Sequence, residues 1–265
     1  MKLSCSTFLF QNLPLGGALQ KVRGLGFVRA ELGIDANPRW GHFMPQTIHN
    51  EMEEAASMVE TAVQESGVGI SDINAHFDFT NSSVRGEFES VCAFARRLGA
   101  GVINVSATHP SEAIALNCLS DYVSVARDYS ITLSMETLTN SLCRNLESAL
   151  RILEQVRGLK FTIDTGYLIS NGHSQECWEQ LYPYIGLVHI RDAGNGRNNY
   201  QVPVGSGDLD IGMFLDDLLK IGYQGIMVVE YLGPDRQSRD PMDFEEETLK
   251  MRERLDSELA DREAA

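Results

Sequence analysis

Eight short β-rich runs alternate with helical patterns along the 265-residue chain, and no other feature restricts the fold as much. The runs cover residues 3–10, 27–32, 69–76, 102–106, 131–136, 160–164, 186–191 and 226–231. Between them apolar residues recur at helical spacing. Met52, Ala55, Ala56, Val59 and Val63 do so within 51–66, and Phe88, Val91, Cys92, Ala95 and Leu98 within 88–98. Segments 116–126, 146–156 and 211–219 behave likewise. The charged tail 244–263, with Leu249, Leu255 and Leu259, reads as a last helix that frays. Several strands follow Gly-containing turns, at Gly24/Gly26, Gly67, Gly99/Gly101, Gly158 and Gly222/Gly225. Glycine just past a helix adopts the left-handed conformation at little cost. Eight β/α units, several with a glycine stop before the strand, predict an α/β chain closed as a (β/α)8 TIM barrel, whose usual length is about 250 residues. The alternative is an open doubly wound sheet. The first turn, Gln11-Asn12-Leu13-Pro14-Leu15-Gly16-Gly17, lacks the GxGxxG run of a dinucleotide fold. No linker or low-complexity stretch interrupts the pattern, so one domain over 1–265 is expected.

Composition removes several function classes. The net charge is −15, and nucleic-acid affinity needs a positive footprint that this chain lacks. No run of about 18 apolar residues is present, so no membrane span is expected. Residues 1–5 carry one positive charge and read as the start of a first strand, not as a secretory signal. Cys5, Cys92, Cys118, Cys143 and Cys177 are an odd set without a CxxC pair, which excludes zinc ribbons and disulfide frameworks. Most of these thiols should pack as small hydrophobes in a cytoplasmic protein.

In a barrel of this kind the active site lies at the carboxyl ends of the strands. Residues 131–136 end in Glu136, 160–164 end in Asp164, 186–191 contain His189, and the apolar run from Ile226 ends in Glu230. His76 ends the third run, and His109 follows the fourth. A carboxylate at the end of an apolar strand is costly unless something compensates it. Three carboxylates and one imidazole on four successive strands are explained together by a divalent cation. The competing explanation is pairing with Arg191, Arg144 or Arg197, or capping of the following helices.

The runs Met135-Glu136, Ile163-Asp164-Thr165-Gly166, Val188-His189-Ile190-Arg191-Asp192, Gly205-Ser206-Gly207-Asp208-Leu209-Asp210 and Val229-Glu230 resemble those of the xylose-isomerase-like TIM barrels. That superfamily holds sugar isomerases and epimerases, inosose and dehydroshikimate dehydratases, and apurinic endonucleases. The resemblance implies that Glu136, Asp164, His189 and Glu230 bind one divalent metal. Their mostly hard donors favour Mn²⁺ or Mg²⁺, with Co²⁺ or Zn²⁺ as the other candidates. It further implies that Glu136 and Glu230 remove and return a proton at a carbon whose neighbouring oxygens the metal holds, through a metal-stabilised enediolate. Many relatives carry His three residues after the aspartate, and here that position is Tyr167. This departure counts against a nuclease, and to a lesser degree against an ordinary ketose epimerase, because the contact to the sugar is either missing or replaced.

The same intermediate can lead to epimerisation, aldose–ketose isomerisation or dehydration. The first reading is therefore a metal-dependent isomerase or epimerase of a small sugar or keto-polyol. The alternative is a lyase, either an inosose or dehydroshikimate type of dehydratase or an enzyme cleaving a keto-C-glycoside. A catalytically silent sugar-binding barrel and a nuclease rank below both. His76, His109, Tyr167 and Arg191 are the candidate substrate contacts. For each histidine the bland alternative is a satisfied structural residue. Trp40, His42 and Phe43 either stack on a sugar or pack their loop, and Glu31 is read as holding a neighbour in place. Gly205-Ser206-Gly207 without GK[ST] is read as shaping its loop. Barrels of this superfamily often form dimers or tetramers, so a homo-oligomer is an expectation without a located interface.

Overall fold

A computed structural model describes residues 1–76, 84–106, 112–138, 141–196, 199–233 and 242–263. His109 and Arg197 fall outside these residues. Eight strands run in chain order around a closed, all-parallel barrel: β1 (Lys2–Ser6), β2 (Arg29–Asp35), β3 (Gly69–His76), β4 (Val102–Ser106), β5 (Thr132–Glu136), β6 (Lys160–Asp164), β7 (Ile185–Ile190) and β8 (Ile226–Val229). β8 pairs back with β1, from Lys2 opposite Ile226 to Cys5 opposite Val229. The helices are α1 (Leu15–Gly24), α2 (Pro45–Asn50), α3 (Met52–Ser66), α4 (Val84–Leu98), α5 (Glu112–Asp128), α6 (Leu146–Gln155), α7 (Thr165–Ser170), α8 (Ile211–Lys220) and α9 (Phe244–Glu263). The expected closed barrel is the observed one.

Local chemistry accounts for the element ends. α3 buries Ala55, Ala56, Val59 and Ala62 along one face and stops at Gly67, which holds φ +69° while its N–H caps the Val63 carbonyl. Asn145 and Asp210 cap α6 and α8 by accepting the amides of Ser148 and Met213. α9 is a continuous helix tied down at its end. Arg262 bonds Asp216 at 2.6 Å and the Gly212 carbonyl at 3.0 Å, joining it to α8.

Two irregularities shape the interior. Between β2 and β3 the register slips, so that Ala30 faces Ile70 while Glu31 faces Asp72. Between β6 and β7 it slips again, from Phe161 opposite Ile185 to Thr162 opposite Leu187. Bulges of this kind re-aim the side chains that follow. Gly186 sits at the second one, where a Cβ would meet Lys160 Cβ at 2.7 Å and Ser134 Oγ at 2.9 Å.

The structure departs from the sequence reading at several boundaries. The run 3–10 divides into β1 and a 3-10 turn over Thr7–Phe10, all of it buried. Uniform burial hides the end of the strand from hydropathy. The second strand runs to Asp35, so Glu31 lies in mid-strand instead of at its end. α1, α2, α7 and the 3-10 segment Gln175–Tyr184 were not marked by apolar spacing.

Candidate metal centre

Glu136 closes β5, Asp164 closes β6, His189 is the penultimate residue of β7, and Glu230 follows β8 directly. One donor atom from each of the four lies within 4.8 Å of the others, and all four residues are buried. Each is held from outside through a single atom. Asn104 Nδ2 donates to Glu136 Oε2 at 2.9 Å, and Asn74 Nδ2 donates to Glu230 Oε1 at 3.2 Å. The Tyr167 amide donates to Asp164 Oδ1 at 2.9 Å, because Asp164 caps the short helix α7. His189 Nε2 meets Glu31 Oε2 at 2.8 Å. The opposite atoms converge: His189 Nδ1 lies 2.9 Å from Glu136 Oε1 and 3.4 Å from Glu230 Oε2. Arg191 completes the group. Its Nη1 donates to Glu230 Oε2 at 2.9 Å and its Nη2 to Asp164 Oδ2.

The electrostatics follow from packing carboxylates together away from water. Burial pushes Asp164 well above the usual carboxylate range, and the charges of Glu136 and Glu230 add to the push against the pull of Arg191. Burial would also raise Glu136, but the charge and hydrogen bond of His189 outweigh it and hold that carboxyl at about 2. Burial favours neutral His189, yet Glu230, Glu31 and Glu136 drive its pKa well up. Beneath it, burial and the Glu31 charge raise Asp72. Asp72 Oδ2 has no other partner among the described residues, and a proton shared with Glu31 would satisfy it.

These residues fit a divalent cation. Three carboxylate oxygens and one imidazole nitrogen are a hard, mixed O/N donor set. Glu31 on Nε2 is the outer partner that leaves Nδ1 as the ligating nitrogen. The crowding that raises the Asp164 carboxyl despite Arg191 is what a divalent charge bound there would relieve.

The family profile described as xylose isomerase-like TIM barrel matches residues 19–254. The chain belongs to this family. An uncharacterized protein of Methanocaldococcus jannaschii is 28% identical over 152 residues, which is 55% of this chain and 50% of that one. The match therefore spans about half the length of that curated relative. Among solved structures, a xylose isomerase-like TIM barrel protein from Mycobacterium smegmatis in complex with magnesium superposes with a TM-score of 0.76 at 16% identity, covering 97% of this chain and 96% of that one. The probable 3-DHS dehydratase AsbF of Bacillus anthracis gives 0.73 at 17% identity, covering 95% and 98%. D-psicose 3-epimerase with D-tagatose, from Clostridium cellulolyticum H10, gives 0.73 at 14% identity, covering 98% and 99%. At these identities the superpositions speak for the shared fold.

For this xylose isomerase-like barrel, the four expected ligands and Arg191 come together in one cluster. Tyr167 borders it: its ring stacks on Tyr200 with centroids 5.4 Å apart, and Arg191 Cζ lies 4.8 Å from its centroid. Burial raises the Tyr167 phenol, so it keeps its proton at neutral pH. His76 has other partners. It bonds Asp35 at 2.8 Å and stacks on Phe8. His42 bonds the Thr7 carbonyl and Phe43 packs on Phe94, so both pack their loop. Sequence reasoning missed Asn74, Asn104, Thr162 and Asp192. Thr162 donates to Asn104 Oδ1 at 2.6 Å, fixing the amide that holds Glu136. Asp192 accepts the amides of Ala193, Gly205, Gly207 and Leu209 and so organises the Gly205-Ser206-Gly207 loop. A signal for three of them was present. Asn74, Asn104 and Thr162 each stand two residues before the last residue of their strands, which puts them on the inward face below it.

Proposed function

We propose that this protein is a divalent-metal-dependent isomerase or epimerase of a small sugar or keto-polyol. The observation that carries the reading is the outer anchoring of Glu136, Asp164, His189 and Glu230, each through one atom, with the remaining donors converging. When bound there, Mn²⁺ or Mg²⁺ would draw electron density from substrate oxygens and acidify the neighbouring C–H. The chain's own residues do the rest. Glu136 and Glu230 stand on β5 and after β8, with His189 between them. In this reading one takes the proton from carbon while the other, or the same group, returns it. Asn104 and Asn74 hold the two carboxyls at fixed orientation. We place Tyr167 and Arg191 against the substrate, with His76, the last residue of β3, and His109 as further substrate contacts.

One observation favours a second reading, a dehydratase or another lyase. The Tyr167 phenol stands beside the cluster, where relatives carry an imidazole, and in this reading it gives its proton to a departing hydroxyl. The catalytic assay is a panel of ketoses and keto-inositols incubated in D₂O with the Mn²⁺-loaded protein. Deuterium should enter recovered substrate or its epimer, and Glu136→Gln and Glu230→Gln should each lose at least about 100-fold of that rate. An ultraviolet-absorbing enone in place of exchange would favour the lyase. Near-full turnover by both variants would remove the proposed roles of the glutamates.

A further inference from the structure

Arg191 is the one cationic side chain that touches the carboxylates of the cluster other than His189 among the described residues. It is fully buried. Its two Nη atoms sit on Asp164 Oδ2 and Glu230 Oε2, oxygens that the outer anchors leave free. The seat is built for it. Thr165 Oγ1 accepts from the Arg191 amide at 3.0 Å and donates to its carbonyl at 2.7 Å, clamping the backbone on both sides. The rings of Tyr167 and Tyr200 flank the guanidinium, and Gly166 leaves it room, since any Cβ there would collide with the Arg191 side chain. One part of the seat is unfinished: Nε is buried with no acceptor among the described residues. A buried N–H without an acceptor weakens this pose relative to one in which the guanidinium is turned elsewhere.

We propose that Arg191 is the built-in counter-cation of this site and competes with the divalent ion for Asp164 Oδ2 and Glu230 Oε2. The guanidinium keeps the two carboxylates apart and paired until a divalent ion takes them, and it then yields at least one of the two. The inference rests on the metal-site reading above and adds that Arg191 sets how strongly the site binds its ion. An ion able to load must outcompete a buried bidentate guanidinium, which a monovalent cation does not.

The test is calorimetric titration of Mn²⁺ into chelator-stripped wild type, Arg191→Met and Arg191→Lys, without substrate. Removing a unit positive charge from a buried site should tighten Mn²⁺ binding at least about tenfold in Arg191→Met. Arg191→Lys should fall between, because an ammonium is a single point charge that cannot fork two carboxylates. Should Arg191→Met not fold, the Lys variant decides with the same expected sign. Unchanged or weaker binding in the folded variants, with wild type binding Mn²⁺, overturns the inference and leaves the metal-site reading in place. Absence of binding by wild type and both variants overturns both.

Discussion

Glu31 illustrates how much of this site depends on single side chains outside the four donors. From the middle of β2 it takes the Nε2 edge of His189 at 2.8 Å and is itself steadied by Ser6 at 2.8 Å. His189 outweighs the burial penalty and holds the Glu31 carboxyl below its ordinary value. With Glu31 charged, the imidazole is oriented with Nδ1 toward Glu136 and Glu230. Glu31→Gln keeps an acceptor but removes the charge, and it should weaken Mn²⁺ binding about tenfold or more. A titration giving the wild-type affinity would contradict this role. The four donors could be read from the sequence because each ends, or nearly ends, an apolar strand. Glu31 was read as holding a neighbour, and His189 is that neighbour, whereas Asp72 was not marked, because the register slip that sets the two side by side leaves no trace in composition. Asn74, Asn104 and Thr162 were hidden for a different reason. Neutral polar residues in strands are common, and only their inward alternation sets these apart.

At the level of elements, the strands of the second half each deliver one donor, and the loop after β7 brings Tyr200 against Tyr167 beside the cluster. Asp192 is the anchor of that loop. It accepts four backbone amides, at 2.9 Å from Ala193, 2.7 Å from Gly205, 3.1 Å from Gly207 and 3.4 Å from Leu209. Asp192→Ala would leave the buried Ala193 amide and the more exposed amides of Gly205, Gly207 and Leu209 without their acceptor, and it should cost about 1–3 kcal/mol of stability. Thermal denaturation measures this, and the variant should still bind Mn²⁺. An unchanged melting temperature would mean that the loop does not depend on the carboxylate. Strand order and closure were legible because buried parallel strands and amphipathic helices leave different periodicities. Short helices were less legible. α7 has six residues, and it follows from the Asp164 cap, not from an apolar stripe. The long tail looked apt to fray from its charge alone. Pairs that run between elements, such as Arg262 with Asp216, are invisible to local patterns.

Taken whole, the barrel carries an acidic interior. Glu31, Asp72, Glu136, Asp164 and Glu230 are all buried within it, and His189 and Arg191 are the cations among them. Raised proton affinity at Asp72 and Asp164 is one answer to that crowding. A divalent ion is the other, and its binding free energy then adds to the stability of the fold. No helix among the described residues is long and apolar enough to cross a membrane, and the exposed ion pairs of the outer helices contribute little each. The central claim is that these strand ends hold one divalent cation. Its most direct test is metal content by plasma mass spectrometry on wild type and Glu136→Gln, each purified without chelator and dialysed. The wild type should carry about one equivalent of Mn, Mg, Co or Zn, and the variant should lose it. A metal-free wild type that cannot be loaded with Mn²⁺ or Mg²⁺ would contradict it. The four residues would then be an ion-pair network closed by Arg191.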